Sequence, residues 1–216
     1  MRRESKVMFL VIAILCGLVF SSTPTEATVI TIEIEAEIDF LADPSNIFED
    51  SLKVGDMITG SYTYDSDTPD SAPEDWLGKY EYSQAPYGMI LEVGDFRFET
   101  DPEDVDFIIY VSNDRLSPKG DIWSIVSKNN LLLDYGLSIG WMYWQLNDRS
   151  GEVVSSTNLP LTGPILADWQ DGNSLRAEGV LRQTDFIIDA HVNSAIPEPA
   201  TIILLVMGGL FLRKRS

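Results

Sequence analysis

The chain has 216 residues, one cysteine, one histidine and a formal net charge of −19. A field of that sign repels nucleic acid phosphates and anionic lipid headgroups, so both are poor partners. One histidine and one cysteine are also too few for a zinc site of the usual His/Cys kind.

Met1–Lys6 carries Arg2, Arg3 and Lys6, and Val7–Phe20 is apolar. Thr25-Glu26-Ala27 then offers small residues at the spacing a signal peptidase needs, so residues 1–27 read as a signal peptide cut after Ala27. Cys16 invites a lipoprotein reading, but Leu15 precedes it where a small residue is wanted and the apolar run continues past it. Removal of residues 1–27 leaves no cysteine, which excludes thiol catalysis and disulfides from the mature chain. The remaining body, residues 28–196, holds nine Lys+Arg against thirty-one Asp+Glu, a net −22.

That body reads as β throughout. Val29–Phe40 alternates, with Ile30, Ile32, Ile34, Ala36, Ile38 and Phe40 on one face and Thr31, Glu33, Glu35, Glu37 and Asp39 on the other. A period of two marks a half-buried strand. A loop with one helical turn at 45–51 follows, then a turn at Val54-Gly55-Asp56 and a strand over Met57–Tyr64. Asp65–Gly78 is a polar loop rich in Asp, Pro and Ser. Further strands are expected at Tyr87–Val93, Phe96–Glu99, Val105–Val111, Asp121–Ser127, Leu131–Tyr135 and Leu137–Gln145. Ser174–Gln183 and Phe186–Val192 form a candidate hairpin. Many short strands, turn residues between them and no amphipathic helix predict an antiparallel β-sandwich, jelly-roll-like. An N-terminal signal helix and a short C-terminal hydrophobic helix flank it.

Several residues are candidates for chemistry. The single histidine, His191, shares a strand face with Asp189 and Asn193, but no Gly-x-Ser-x-Gly elbow accompanies it, and a surface histidine is the simpler account. Asp65, Asp67 and Asp70, with Glu74 and Asp75, form one acidic cluster; Asp101, Glu103, Asp104 and Asp106 form another. Loop carboxylates of this kind are candidate calcium ligands. The EF-hand pattern fails, because Pro69 intrudes and the sixth position lacks glycine; a solvated loop is the plainer reading. No carboxylate pair is marked out for glycoside hydrolysis among so many acids. No other cofactor is expected, and the chain is not expected to be an enzyme. Trp141, Tyr143 and Trp144 form an aromatic group. Trp141 and Tyr143 face one way along a strand, Met142 and Trp144 the other. One face belongs to the core, and the other is a candidate platform for sugar rings.

The C-terminus has its own order: Ile196-Pro197-Glu198-Pro199, an uncharged run from Ala200 to Leu212, then Arg213-Lys214-Arg215. Pro197 and Pro199 fix their own φ and push the residues before them out of the helical region, so 196–199 is expected to be extended and accessible. Thirteen helical residues span roughly 20 Å, short of the ~30 Å hydrocarbon core, so the run suits a transient hold in the inner membrane better than a permanent anchor. Basic residues after it favour a cytoplasmic end. Triplet, apolar run and basic cluster together resemble the PEP-CTERM sorting signal of exported bacterial proteins. The stretch Val54-Gly55-Asp56-x-x-x-Gly60-Ser61-Tyr62-Thr63-Tyr64-Asp65, the loop Thr68-Pro69-Asp70-Ser71 and the step Gly78-Lys79-Tyr80 are similar to segments of such proteins.

The resemblance implies cleavage near Pro197-Glu198-Pro199 by an exosortase and release of the body. It implies no reaction. The chain thus divides into a signal peptide (1–27), an acidic β domain (28–194) and a sorting signal (195–216). The expectation is an exported, non-catalytic protein of the cell surface or extracellular matrix. It would meet signal peptidase and exosortase during export, the inner membrane transiently, and exopolysaccharide afterwards. A carbohydrate-binding module, with or without calcium, is the second expectation, and a secreted hydrolase the third.

Overall fold

The computed structural model describes residues 29–114, 120–132, 137–181 and 184–198. The signal peptide with Ala27, and Pro199, Arg213, Lys214 and Arg215 of the sorting signal, lie outside the described residues, as do both flanking helices expected from the sequence. Among the described residues no helix is long and apolar enough to cross a membrane.

Among the described residues ten strands follow in chain order: β1 (Val29–Ala42), β2 (Met57–Asp65), β3 (Leu77–Tyr82), β4 (Gly88–Val93), β5 (Phe96–Thr100), β6 (Phe107–Ser112), β7 (Asp121–Leu132), β8 (Leu137–Asp148), β9 (Gly172–Leu181) and β10 (Thr184–Pro197). Every pairing is antiparallel. The order β7-β5-β4-β2-β1-β10-β9-β8 returns to β7, which also pairs with β8. Eight strands therefore close into a barrel, and β6 and β3 extend from β7 beside the ring.

This corrects the sandwich expected from the sequence. Alternation records that one face of each strand is buried; it is the same whether the facing surface belongs to a second sheet or to the far wall of one closed sheet. Closure rests on β7. Its residues 122–127 pair with β6, its residues 130–132 pair with β5, and its other edge follows β8 along its length. The change of partner falls at Asn129, a non-glycine residue at φ 47°. A buried polar network holds this seam. Thr100 Oγ1 accepts the Met89 amide at 2.9 Å and lies 2.6 Å from Ser127 Oγ, while Asn130 Nδ2 donates to the Ser127 carbonyl at 2.9 Å. Such a network holds one register, because any slip would leave its members buried without partners.

The inward face of β1 is as expected from Ile30 to Ile38. Phe40 departs from the pattern and is 51% exposed. An irregularity between Ile38 and Phe40 places an extra residue, Asp39, in β1 relative to β10, and one extra residue reverses the side on which all later side chains emerge. The expected helical turn at 45–51 is instead a run of turns, with Asn46, Glu49 and Asp50 at positive φ. Both oxygens of Asp43 take amides from this loop, Ile47 at 2.8 Å and Phe48 at 2.9 Å. The loop is thereby shaped to send Phe48 into the core, with ring centroids 4.9 Å from Phe96 and 5.1 Å from Phe186. Further aromatics lie among the aliphatic side chains of the interior. Tyr62 lies 5.9 Å from Tyr64 and 6.1 Å from Trp144. An eight-stranded barrel is just wide enough for side chains to fill it, and these do.

Candidate functional site

The aromatic group on β8 divides as its alternation predicts, with a local cause. Between Ile139 and Trp141 the β8–β9 register shifts by one residue, leaving Gly140 as the extra. A regular strand would put Trp141 in phase with buried Ile139. The extra residue turns Trp141 and Tyr143 outward and Met142, Trp144 and Leu146 inward. Trp144 is fully buried, and its indole Nε1 donates to Asn173 Oδ1 at 3.0 Å. It therefore leaves the candidate platform and belongs to the core.

Trp141 is 47% exposed and Tyr143 half-buried beside it. Their Cα atoms are two residues apart on one face, about 6.8 Å along the strand. Polar groups frame the pair. Arg176 of β9 sits opposite Tyr143 in register, its guanidinium carbon 5.8 Å from the ring centroid. Its Nη2 donates to Asp189 Oδ2 at 2.9 Å, its Nε donates to Asp189 Oδ1, and its Nη1 lies 3.7 Å from Glu178. This fork fixes the guanidinium and raises its pKa above the ordinary value, chiefly through the Asp189 bonds. Glu178 and Lys128 flank Trp141 in register from either side. The arrangement is an exposed aromatic surface with donors and acceptors around it and no group poised as a nucleophile.

The other candidates are dispersed. His191 Nδ1 lies 2.8 Å from Asp39 on β1, while Asp189 is occupied by Arg176, so the three residues expected on one face do not form a relay. Asp65 Oδ1 accepts the Asp67 amide, and Asp70 Oδ1 accepts the amides of Ala72 and Lys79. Asp67 and Asp70 are exposed. These carboxylates shape turns. In the second cluster Asp101 takes the Glu103 amide, Asp104 takes Asn129 Nδ2, and Asp106 lies 3.5 Å from Lys128. Among the described residues no group of three or more His, Cys, Asp or Glu side chains is placed to hold a metal ion.

Two buried carboxylates were not singled out by sequence reasoning. Asp121 and Asp148 face each other across β7 and β8, only 1% and 5% exposed. Asp121 Oδ2 takes the amides of Val153 and Val154 at 2.9 and 2.7 Å, and its Oδ1 takes that of Asp114 at 3.0 Å. Asp148 accepts from the Ser150 hydroxyl and the Gly151 amide. The Ser150 bond, then those backbone donors, hold the Asp148 carboxyl below the usual range against the opposing effect of burial. Together the pair ties the loop after β8 to the barrel. Their position at strand ends, Gly120-Asp121 and Asp148-Arg149-Ser150-Gly151, was the available signal.

Two contiguous depressions, about 450 and 390 Å³, lie on the outer face of β1, β2, β4 and β5 and share Ser61, Ile90 and Glu198. This is the half of the ring away from β8, so neither depression lies beneath the aromatic pair. Glu198 of the triplet lines both depressions. Pro197 is the last residue of β10, so the barrel runs three residues into the segment expected to begin the sorting signal at 195. Comparison with protein-family models, with curated proteins and with solved structures yields no match.

Proposed function

We propose that this chain is an exported, non-catalytic protein of the cell surface or extracellular matrix that associates with exopolysaccharide. Its two terminal signals support export and release by an exosortase. The observation that carries the glycan contact is the outward pair Trp141 and Tyr143, framed by Arg176, Glu178 and Lys128. An exposed aromatic ring covers the apolar face of a sugar, and the polar frame bonds its hydroxyls. The acidic body favours a neutral or amine-bearing glycan over a polyanionic one. The carbohydrate-binding module expected second uses this same surface, so one measurement serves both.

The secreted protein, titrated calorimetrically with the host's own exopolysaccharide, is expected to bind it, and Trp141→Ala is expected to bind far more weakly. A wild-type protein that shows no heat with this polymer and none with neutral glucans would sink the proposal.

A further inference from the structure

We infer that the folded barrel withholds its own C-terminal processing site, and that the sorting enzyme can take it only after residues 194–198 unzip from β1. This rests on the export reading proposed above and concerns the regulation of that site. The extended conformation expected of this region is present up to Pro197, but it is already in use. Glu35 pairs with Ser194, Ile34 with Ala195, Glu33 with Ile196 and Ile32 with Pro197, and the Glu198 amide donates to the Thr31 carbonyl at 3.0 Å. That last bond sets the phase of the ladder. In an antiparallel pair, bonded and non-bonded positions alternate, so Ser194, Ile196 and Glu198 direct their backbone groups at β1. Pro197, which has no donor, falls where its nitrogen points away from β1, the position a strand proline tolerates.

The segment is also set apart from the rest of its strand. A register irregularity at Glu35/Ala36 leaves Asn193 as an extra residue. The pairing of β9 with β10 ends at Ala190, so beyond Asn193 the chain has β1 as its one neighbouring strand among the described residues. Gly163 of the loop after β8 approaches so closely that a Cβ there would stand 2.9 Å from the Ala195 carbonyl. Glu198 lines the depressions on the barrel wall. A short ladder, bonded on one edge and separated by a bulge, is the kind of unit that opens without global unfolding.

A protease that binds its substrate as a strand uses the same backbone groups that β1 holds. The ladder and the enzyme therefore compete for Ser194, Ile196 and Glu198. A chain whose last strand has not docked is a substrate, and a chain whose barrel has closed is protected until its end peels away. Maturation is thereby tied to the state of the β1–β10 junction.

The test is a staple that can be released. Glu33 and Ile196 are exposed and directly opposed. Their Cα separation in a bonded antiparallel pair is about 5.5 Å, inside the roughly 4.4–6.8 Å a disulfide spans. The full chain is expressed in its host as wild type, Glu33→Cys, Ile196→Cys and the double variant, and intact masses are read from released and membrane fractions. Wild type and both single variants are expected in the medium, ending near Pro199. The double variant is expected to stay with the membrane fraction carrying Arg213–Ser216, and to be cleaved once reductant opens the disulfide. A double variant released and truncated like wild type, with its disulfide formed, overturns the inference and leaves the export reading standing. Wild type that keeps Arg213–Ser216 overturns both. Hydrogen exchange on the purified wild-type protein gives a readout without the enzyme. The Ile196 and Glu198 amides are expected to exchange at least about tenfold more slowly than in a free peptide, and exchange at the free-peptide rate also overturns the inference.

Discussion

Trp141 and Trp144 are three residues apart on β8 and live in opposite environments. Trp144 is sealed in the barrel, packed on Tyr62 and bonded to Asn173. Trp141 lies on the outer wall, nearly half exposed, among charged neighbours from the two flanking strands. The same residue type on the same strand thus serves cohesion in one case and offers a surface in the other. One extra residue at Gly140 decides which is which. The comparison shows that identity alone does not assign an aromatic residue to the core; its phase relative to the nearest bulge does.

The largest expected effect comes from truncating the inner member. Trp144→Ala should lower stability by about 3–5 kcal/mol, the usual cost of emptying a large aromatic site from a packed core. Urea denaturation checks it through the midpoint. Trp141→Ala should change stability by no more than about 0.5 kcal/mol. It should instead weaken glycan binding by about 2 kcal/mol, roughly thirtyfold, if the ring is a principal contact. Equal destabilisation by the two substitutions would erase the distinction between the faces.

How much of this was legible follows from what each pattern encodes. The inward residues of β1 from Ile30 to Ile38 could be read directly, because a period of two survives in any one-faced sheet. The division of β8 into Trp141 with Tyr143 and Met142 with Trp144 could be read for the same reason, but not which pair faces outward, which the extra residue at Gly140 decides. Closure could not. It depends on β7 taking β5 and β6 on one edge and β8 on the other, and no local pattern in Asp121–Leu132 records the number of partners. Phe40 was misplaced because a bulge is an insertion relative to a partner strand, visible only once that partner is known. Asp121 and Asp148 looked like two more acids in an acidic chain. Their burial follows from amides of the loop after β8, brought to them by the fold. The docking of Pro197 and Glu198 on β1 was hidden for a related reason: the prolines specify an extended backbone but not the strand it lies against.

Within the core, the comparison can be sharpened at the neighbour of Trp144. The Tyr62 hydroxyl is buried and has no hydrogen-bond partner among the described residues. A buried donor left unpaired costs about 1–3 kcal/mol, so Tyr62→Phe should stabilise the protein by about 1 kcal/mol while keeping the ring against Trp144. Burial, then the nearby Tyr64, raises the Tyr62 pKa well above its usual value, and burial pushes Tyr82 up to about 12. These hydroxyls stay protonated in the barrel at a pH where the unfolded chain loses its protons. Their contribution is therefore complete below about pH 10 and is lost as pH rises. The advantage of Tyr62→Phe over wild type should widen above about pH 10, read as the difference in melting temperature across an alkaline series. A constant difference would mean that Tyr62 titrates alike in both states.

The end of β8 adds a third environment, and with it the smallest effect. Asp148 closes the strand that carries both tryptophans, and it acts neither by packing nor by display. Its carboxylate holds Ser150 and Gly151, and those bonds, the hydroxyl first, lower its pKa in the folded protein. A lowered value means that the folded state binds the proton less readily than the unfolded chain. Its stabilisation is thus fully present above the ordinary aspartate value of about 4 and is lost as pH falls through the lowered one. Asp148→Asn should melt below wild type at neutral pH, and the two curves should converge as pH drops below about 4. Curves that stay parallel through the acid range would show that the loop after β8 is held by Asp121 alone. The charge of Asp148 would then contribute nothing to the end of the strand that carries Trp141 and Trp144.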